Sequence, residues 1–200
     1  MRSFHQDRYL PGGADGLAGL LSGGKERGVL QKDQGPLHGC LQFTSRSMRE
    51  ELKALAGVLA GREHLYMIGR GLQFATAKEA ALKVKEVSYI HTEAFAGGEL
   101  KHGPLALIEE GTPVFVFMGE DNQEKTLSNA QEIKARGGMV IGVSPTNQEI
   151  FDYWIKVPKC SDLNPVVQAI PLQILAYELA VKKELNPDKP RNLAKCVTVL

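Results

Sequence analysis

Three charged side chains in this chain stand at a spacing that chemistry can use. Glu79, Lys83 and Glu86 fall at i, i+4 and i+7, which on a helix sets them in one row. Carboxylates held at a fixed distance from an ammonium can take up and return protons. The same spacing describes an ordinary solvated helix face crossed by i, i+4 ion pairs, and spacing alone favours that reading. Lys85 is off the row and reads as surface. His102 follows in a segment bounded by Gly97-Gly98 and Gly103-Pro104. A loop imidazole is a general acid or base near neutral pH, although a lone His is more often structural. Lys195 closes a charged run, Asp188 to Lys195, ahead of an apolar end, Val197 to Leu200. A solvated tail has no need of that end, so the tail is expected to dock. Gly69-Arg70-Gly71 offers backbone amides that suit a phosphate. It lacks the third Gly of a dinucleotide fingerprint, and a tight turn needing Gly for its backbone angles accounts for it better.

The elements that must position these groups are legible from residue 45 on. Met48, Leu52, Leu55 and Leu59 recur at helical spacing, with Ser45 or Ser47 as cap. His64–Gly69 is a short apolar strand, and a long helix follows over about Gln73–Tyr89. Its small residues Ala77, Ala80, Ala81, Val84 and Val87 make the core stripe. Pro113–Met118, Met139–Val143 and Tyr153–Val157 are further strands. Asn122–Arg136 is an amphipathic helix stopped by Gly137-Gly138. A mostly apolar helix runs from Asn164 to about Leu185, with a bend expected at Pro171. Apolar strands alternating with helices predict an α/β fold, a parallel sheet covered on both faces. Ligands in such sheets bind at the carboxyl ends of the strands, which puts Gly69, Arg70 and Gly71 at a site edge. Residues 1–45 differ: they are rich in Gly, poor in β-branched residues, and read as an extension with a short helix possible at Ala14–Leu21.

The chain of 200 residues has 43% hydrophobic residues and a net charge of +1. That suits one domain with extensions and carries no broad basic footprint for nucleic acid. No apolar run approaches the roughly 20 residues of a membrane helix. The first residues are charged too early for a secretory leader. Cys40, Cys160 and Cys196 are odd in number and lack metal spacing. They fit free thiols in a reducing cytosol, and neither a metal nor another cofactor is expected.

Three longer stretches carry a resemblance. Ala81-Leu-Lys-Val-Lys-Glu-Val-Ser-Tyr-Ile-His91, Gly98-Glu-Leu-Lys-His-Gly-Pro-Leu-Ala-Leu107 and Pro190-Arg-Asn-Leu-Ala-Lys195 resemble the C-terminal part of the glucosamine-6-phosphate synthase family, the isomerizing glutamine–fructose-6-phosphate aminotransferases. Arg136-Gly137-Gly138 and Pro171 to Tyr177 add to it, and the likeness runs from about residue 48 to the end. It implies a SIS (sugar isomerase) domain over 46–185, with a flavodoxin-like parallel sheet between helices in three αβα layers. It also implies a tail, 186–200, docking at the active site. The implied activity joins fructose 6-phosphate and ammonia from glutamine into glucosamine 6-phosphate, in the cytoplasm and as a homodimer. By the same resemblance Glu86 is the base that moves the proton between sugar carbons, and Lys83 positions the sugar. Glu79 and Ala194 are site residues. His102 assists ring opening, reaching into the neighbouring subunit, and Lys195 forms a Schiff base with the ketone.

The sequence also departs from that family. No glutaminase Cys follows Met1, and neither the glutaminase domain nor the first SIS domain is present. No Ser/Thr-rich phosphate loop of the Ser-Gln-Ser-Gly-Glu type occurs, and Ala194-Lys195-Cys196 replaces the usual Ala-Lys-Ser. A partner chain or missing region is therefore expected to complete the enzyme. The alternatives are a non-catalytic sugar-phosphate-binding module and a related SIS deglycase or isomerase.

Overall fold

The computed structural model describes residues 45–193. The short helix proposed at Ala14–Leu21, the rest of the N-terminal extension, Ala194, Lys195 and the apolar end lie outside these residues. Helix α1 spans Arg46–Leu59 and starts where Ser45 turns extended. The Ser45 hydroxyl accepts from the Met48 amide at 3.4 Å, so Ser45 is the cap. Strand β1 (His64–Gly69) leads into α2 (Leu72–Ser88), β2 (His91–Ala96), β3 (Pro113–Phe117) and α3 (Gln123–Lys134). Then come β4 (Met139–Ser144), β5 (Tyr153–Lys156) and α4 (Asn164–Lys182). Helix α4 runs unbroken through the buried Pro171.

The five strands form one sheet in the order β2-β1-β3-β4-β5. All neighbours are parallel. Alternate side chains leave the sheet on opposite faces, and each face has its own core. Leu65, Met67, Phe115, Phe117, Ile141 and Val143 meet α1, α2 and α4. Tyr66, Ile68, Val114, Val116 and Val140 meet Ala130 and Ile133 of α3, together with Leu100 and Ile108 from the β2–β3 connection. The sheet thus lies between two helical layers, as the sequence predicts. Strand β3 is buried at every position, and each large side chain on it contributes about 1.5–3 kcal/mol by leaving water.

One strand was not foreseen from sequence. β2, His91-Thr92-Glu93-Ala94-Phe95-Ala96, is the edge strand next to β1, its one partner among the described residues. It runs from three polar residues into Ala-Phe-Ala and lacks the β-branched run that marks the interior strands. Two 3-10 turns, Leu100–His102 and Pro104–Leu107, then carry the chain over the α3 face to β3. No helical period announces turns this short.

Candidate functional site

Helix α2 displays the charged row because its opposite side is packed. Ala77, Ala80, Ala81 and Val84 are buried against the sheet and α4, and Val87 packs at the edge of that cluster. Glu79, Lys83 and Glu86 therefore point outward from a fixed support. Lys83 Nζ donates to Glu86 Oε2 at 2.8 Å and lies 3.6 Å from Glu79 Oε1. The Lys83 and Glu86 side chains keep about a third of their surface exposed, 32% and 30%. The Glu86 hydrogen bond raises the Lys83 pKa above the usual lysine value, burial opposes it, and the charges of Glu86 and Glu79 add to the rise. Lys83 is thus a firm ammonium, a donor that fixes the direction of the Glu86 carboxylate.

Beside this row, an open groove of about 700 Å³ follows the flank of α2 along β2. Gly71, Phe74, Lys78, Glu79, Leu82 and Glu93 line it. Glu79 belongs to both the groove and the ion-paired row, which makes the two continuous.

The C-terminal end of α2 carries a contact that sequence reasoning did not single out. Tyr89 ends the helix in the left-handed conformation, φ 58°, which is unfavourable for a large side chain. Its hydroxyl accepts from the Arg191 amide at 2.7 Å, and the Arg191 guanidinium lies 4.2 Å from its ring centroid, a cation–π contact. The last described part of the tail is thereby held three residues beyond Glu86. The sequence signal was present, since Tyr89 and Arg191 both lie in the stretches that carry the resemblance.

Gly69, Arg70 and Gly71 sit at the carboxyl end of β1, as expected, but the constraints on them are those of the turn. A Cβ on Gly69 would overlap the carbonyl oxygen of Gln73 in the first turn of α2. Gly71 has φ 57° and ψ −127°, open to glycine alone. Arg70 Nε donates to Asn129 Oδ1 at 3.1 Å and Nη2 to the Gly97 carbonyl at 2.9 Å. Arg70 therefore clasps the ends of β1 and β2 to α3. At a rise of about 1.5 Å per helical residue, Glu86 lies roughly 22 Å along α2 from this turn.

His102 is exposed on the 3-10 turn Leu100–His102. Leu100 packs in the α3-side core, and Lys101 Nζ bridges to Glu132 Oε1 of α3 at 2.9 Å. The α2 row belongs to the opposite layer. One chain therefore brings Glu79, Lys83 and Glu86 together with the tail at Arg191, and leaves His102 across the sheet. Among the described residues no group of three or more His, Cys, Asp or Glu side chains is placed to hold a metal. Among them, too, no helix is long and apolar enough to cross a membrane.

Comparisons with known proteins agree with this architecture. A relative from Pyrobaculum aerophilum, named glutamine–fructose-6-phosphate aminotransferase [isomerizing], is 52% identical over 152 residues, covering 74% of this chain and 25% of its own length. A relative of the same name from Methanothermobacter thermautotrophicus is 45% identical over 167 residues, covering 79% and 28%. The chain thus spans about a quarter of the length of these curated relatives. Among solved structures, the C-terminal domain of glucosamine-fructose-6-phosphate aminotransferase from Francisella tularensis superposes with a TM-score of 0.70. It shares 36% identity and covers 82% of this chain and 47% of that one. Glucosamine-6-phosphate deaminase from Thermotoga maritima follows with a TM-score of 0.59 and 30% identity, covering 76% and 46%. The SIS domain model matches residues 58–183, from the end of α1 to the end of α4. With the parallel sheet and its two helical layers, that match shows that the chain belongs to the SIS-domain family.

Proposed function

We propose that this chain is the isomerase part of a glucosamine-6-phosphate synthase. It acts on fructose 6-phosphate and ammonia to give glucosamine 6-phosphate, completed by a first SIS domain and a glutaminase domain. The observation that carries the reading is the clamp of Lys83 on Glu86. The reaction needs a carboxylate that removes a proton from one sugar carbon and returns it to its neighbour on the same face. A carboxylate aimed by an ammonium, two-thirds buried yet open on one side, meets that need. Lys83 then donates to a sugar oxygen while its charge stays fixed.

The tail supports the same reading. Arg191 is held at Tyr89, and Lys195 follows four residues later. Four residues span at most about 14 Å, enough chain to carry an amine to the Glu86 row. In this reading Lys195 attacks the ketone carbon, the carbonyl oxygen leaves as water, and a Schiff base forms. Glu79 and Ala194 contribute to sugar binding, and Gly69, Arg70 and Gly71 act through the shape of the groove's end. His102 lies across the sheet from Glu86 in its own chain, so it serves the site of a second copy, and the working unit is a cytoplasmic homodimer.

The test is direct. The purified chain is incubated with fructose 6-phosphate and ammonium, and separately with glucose 6-phosphate, and the hexose phosphates are followed by chromatography. Interconversion that falls at least 100-fold in Glu86→Gln, the loss expected for a general base, supports the proposal. Interconversion that survives that substitution refutes it. A second reading, a non-catalytic sugar-phosphate-binding module, is favoured by one observation: the sequence holds no Ser/Thr-rich phosphate loop of the Ser-Gln-Ser-Gly-Glu type, which leaves the substrate's phosphate without the cradle that turnover needs. Binding of fructose 6-phosphate without turnover, even beside a supplied first SIS domain, establishes that reading instead.

A further inference from the structure

We propose that His64 and His91 form a binding site for a late first-row divalent cation, Cu²⁺, Ni²⁺ or Zn²⁺, at the amino-terminal edge of β1 and β2. The two residues are direct partners in the parallel register, so their side chains leave the same face of neighbouring strands. Their Nδ1 atoms are 3.1 Å apart. The rings meet edge to face, with centroids 5.1 Å apart and planes at 85°.

Two facing imidazole nitrogens this close need something between them. With a proton on one Nδ1, the pair is a hydrogen bond. With both rings protonated on Nε2, two lone pairs converge and repel unless a cation sits between them. Metal–imidazole bonds of about 2.0–2.1 Å across a 3.1 Å separation give an N–metal–N angle of about 95–100°. That angle lies between the right angle of cis ligands in tetragonal Cu²⁺ or Ni²⁺ and the tetrahedral angle of Zn²⁺.

Metal on Nδ1 leaves the proton on Nε2, which faces solvent, with Glu63 Oε2 at 4.0 Å, beyond hydrogen-bond reach, on a side chain that is 92% exposed. The His64 side chain is 54% exposed, which leaves room for water at the remaining coordination positions. The ion is thus held by two protein ligands and solvent. Imidazole ligands select Cu²⁺, Ni²⁺ and Zn²⁺ over Mg²⁺ and Ca²⁺. The pair escapes a sequence reading because its members are 27 residues apart and only strand register joins them.

The test is isothermal titration of the full chain with the chlorides of Cu²⁺, Ni²⁺, Zn²⁺ and Mg²⁺, together with electron paramagnetic resonance of the Cu²⁺-loaded protein. One ion per chain is expected for the first three, tightest for Cu²⁺, and none for Mg²⁺. The resonance spectrum should show coupling to two imidazole nitrogens. His64→Ala and His91→Ala each weaken Cu²⁺ binding at least tenfold, while His102→Ala leaves it unchanged. Circular dichroism checks the fold, and His64→Asn repeats the test with a smaller change in polarity. Cu²⁺ affinity that is undiminished in both His64→Ala and His91→Ala overturns the proposal, as does a wild-type spectrum without imidazole coupling.

Discussion

Replacing Arg70 by Ala separates a structural clasp from a substrate ligand. The guanidinium makes two bonds, to Asn129 Oδ1 at 3.1 Å and to the Gly97 carbonyl at 2.9 Å. Hydrogen bonds from a charged donor contribute about 1.5–3 kcal/mol each when buried. This group is only partly buried, so screening by water cuts the sum by about half. The expected loss is about 2–3 kcal/mol, including the Gly97 carbonyl left without its partner. For a domain of this size each kcal/mol moves the midpoint by about 2–4 °C, so the melting temperature should fall by about 5–10 °C. Trp154, the chain's single tryptophan, reports the change in urea titrations, since its indole N–H is bonded to the Ser144 carbonyl at 3.1 Å. Asn129→Ala removes one of the two bonds and should cost about 1 kcal/mol, and the double variant should show coupling of about the same size. Arg70→Lys should recover less than half of the loss, because an ammonium lacks the guanidinium fork. If Arg70→Ala leaves stability unchanged but abolishes fructose 6-phosphate binding, the clasp argument is wrong and Arg70 is a phosphate ligand.

Two further outcomes test the α2 row and its tail contact. Lys83→Met should lower stability by less than about 1 kcal/mol, since the pair is about a third exposed. Because the Lys83 pKa is raised in the folded chain, its contribution is fully present below the usual lysine value of 10.5 and fades as pH rises through the higher folded value. The gap between wild type and variant in urea melts should therefore be constant near neutral pH and close in strong alkali, as Lys83 loses its proton. A gap that persists unchanged in strong alkali contradicts the ion-pair account. Tyr89→Phe keeps the ring under Arg191 but removes the acceptor of its amide. Hydrogen exchange at Arg191 should quicken by about fivefold, the equivalent of roughly 1 kcal/mol, with global stability almost unchanged. Unaltered exchange there would show that the tail is held by other contacts.

The sequence determined the layers of this molecule and much of its charged row. The apolar runs at His64–Gly69, Pro113–Phe117 and Met139–Ser144 cannot face water on either side. Alternating with helical segments, these runs predict a parallel sheet between helices. The periodic small residues of α2 likewise fixed which side of the helix turns outward, and so placed Glu79, Lys83 and Glu86 together. Tertiary structure decided what local patterns do not encode. Strand β2 lacks a strong strand signal, and its pairing with β1 gives it its conformation. That pairing also brings His64 to His91 across 27 residues. Gly69-Arg70-Gly71 reads from sequence as a tight turn at a site edge, and the bond from Arg70 to Asn129, 59 residues away, is visible only in the fold. His102 and Glu86 are near in sequence, but the β2–β3 connection crosses to the α3 layer. The side of the sheet a segment covers is set by packing over the whole chain, and no short window of residues contains it.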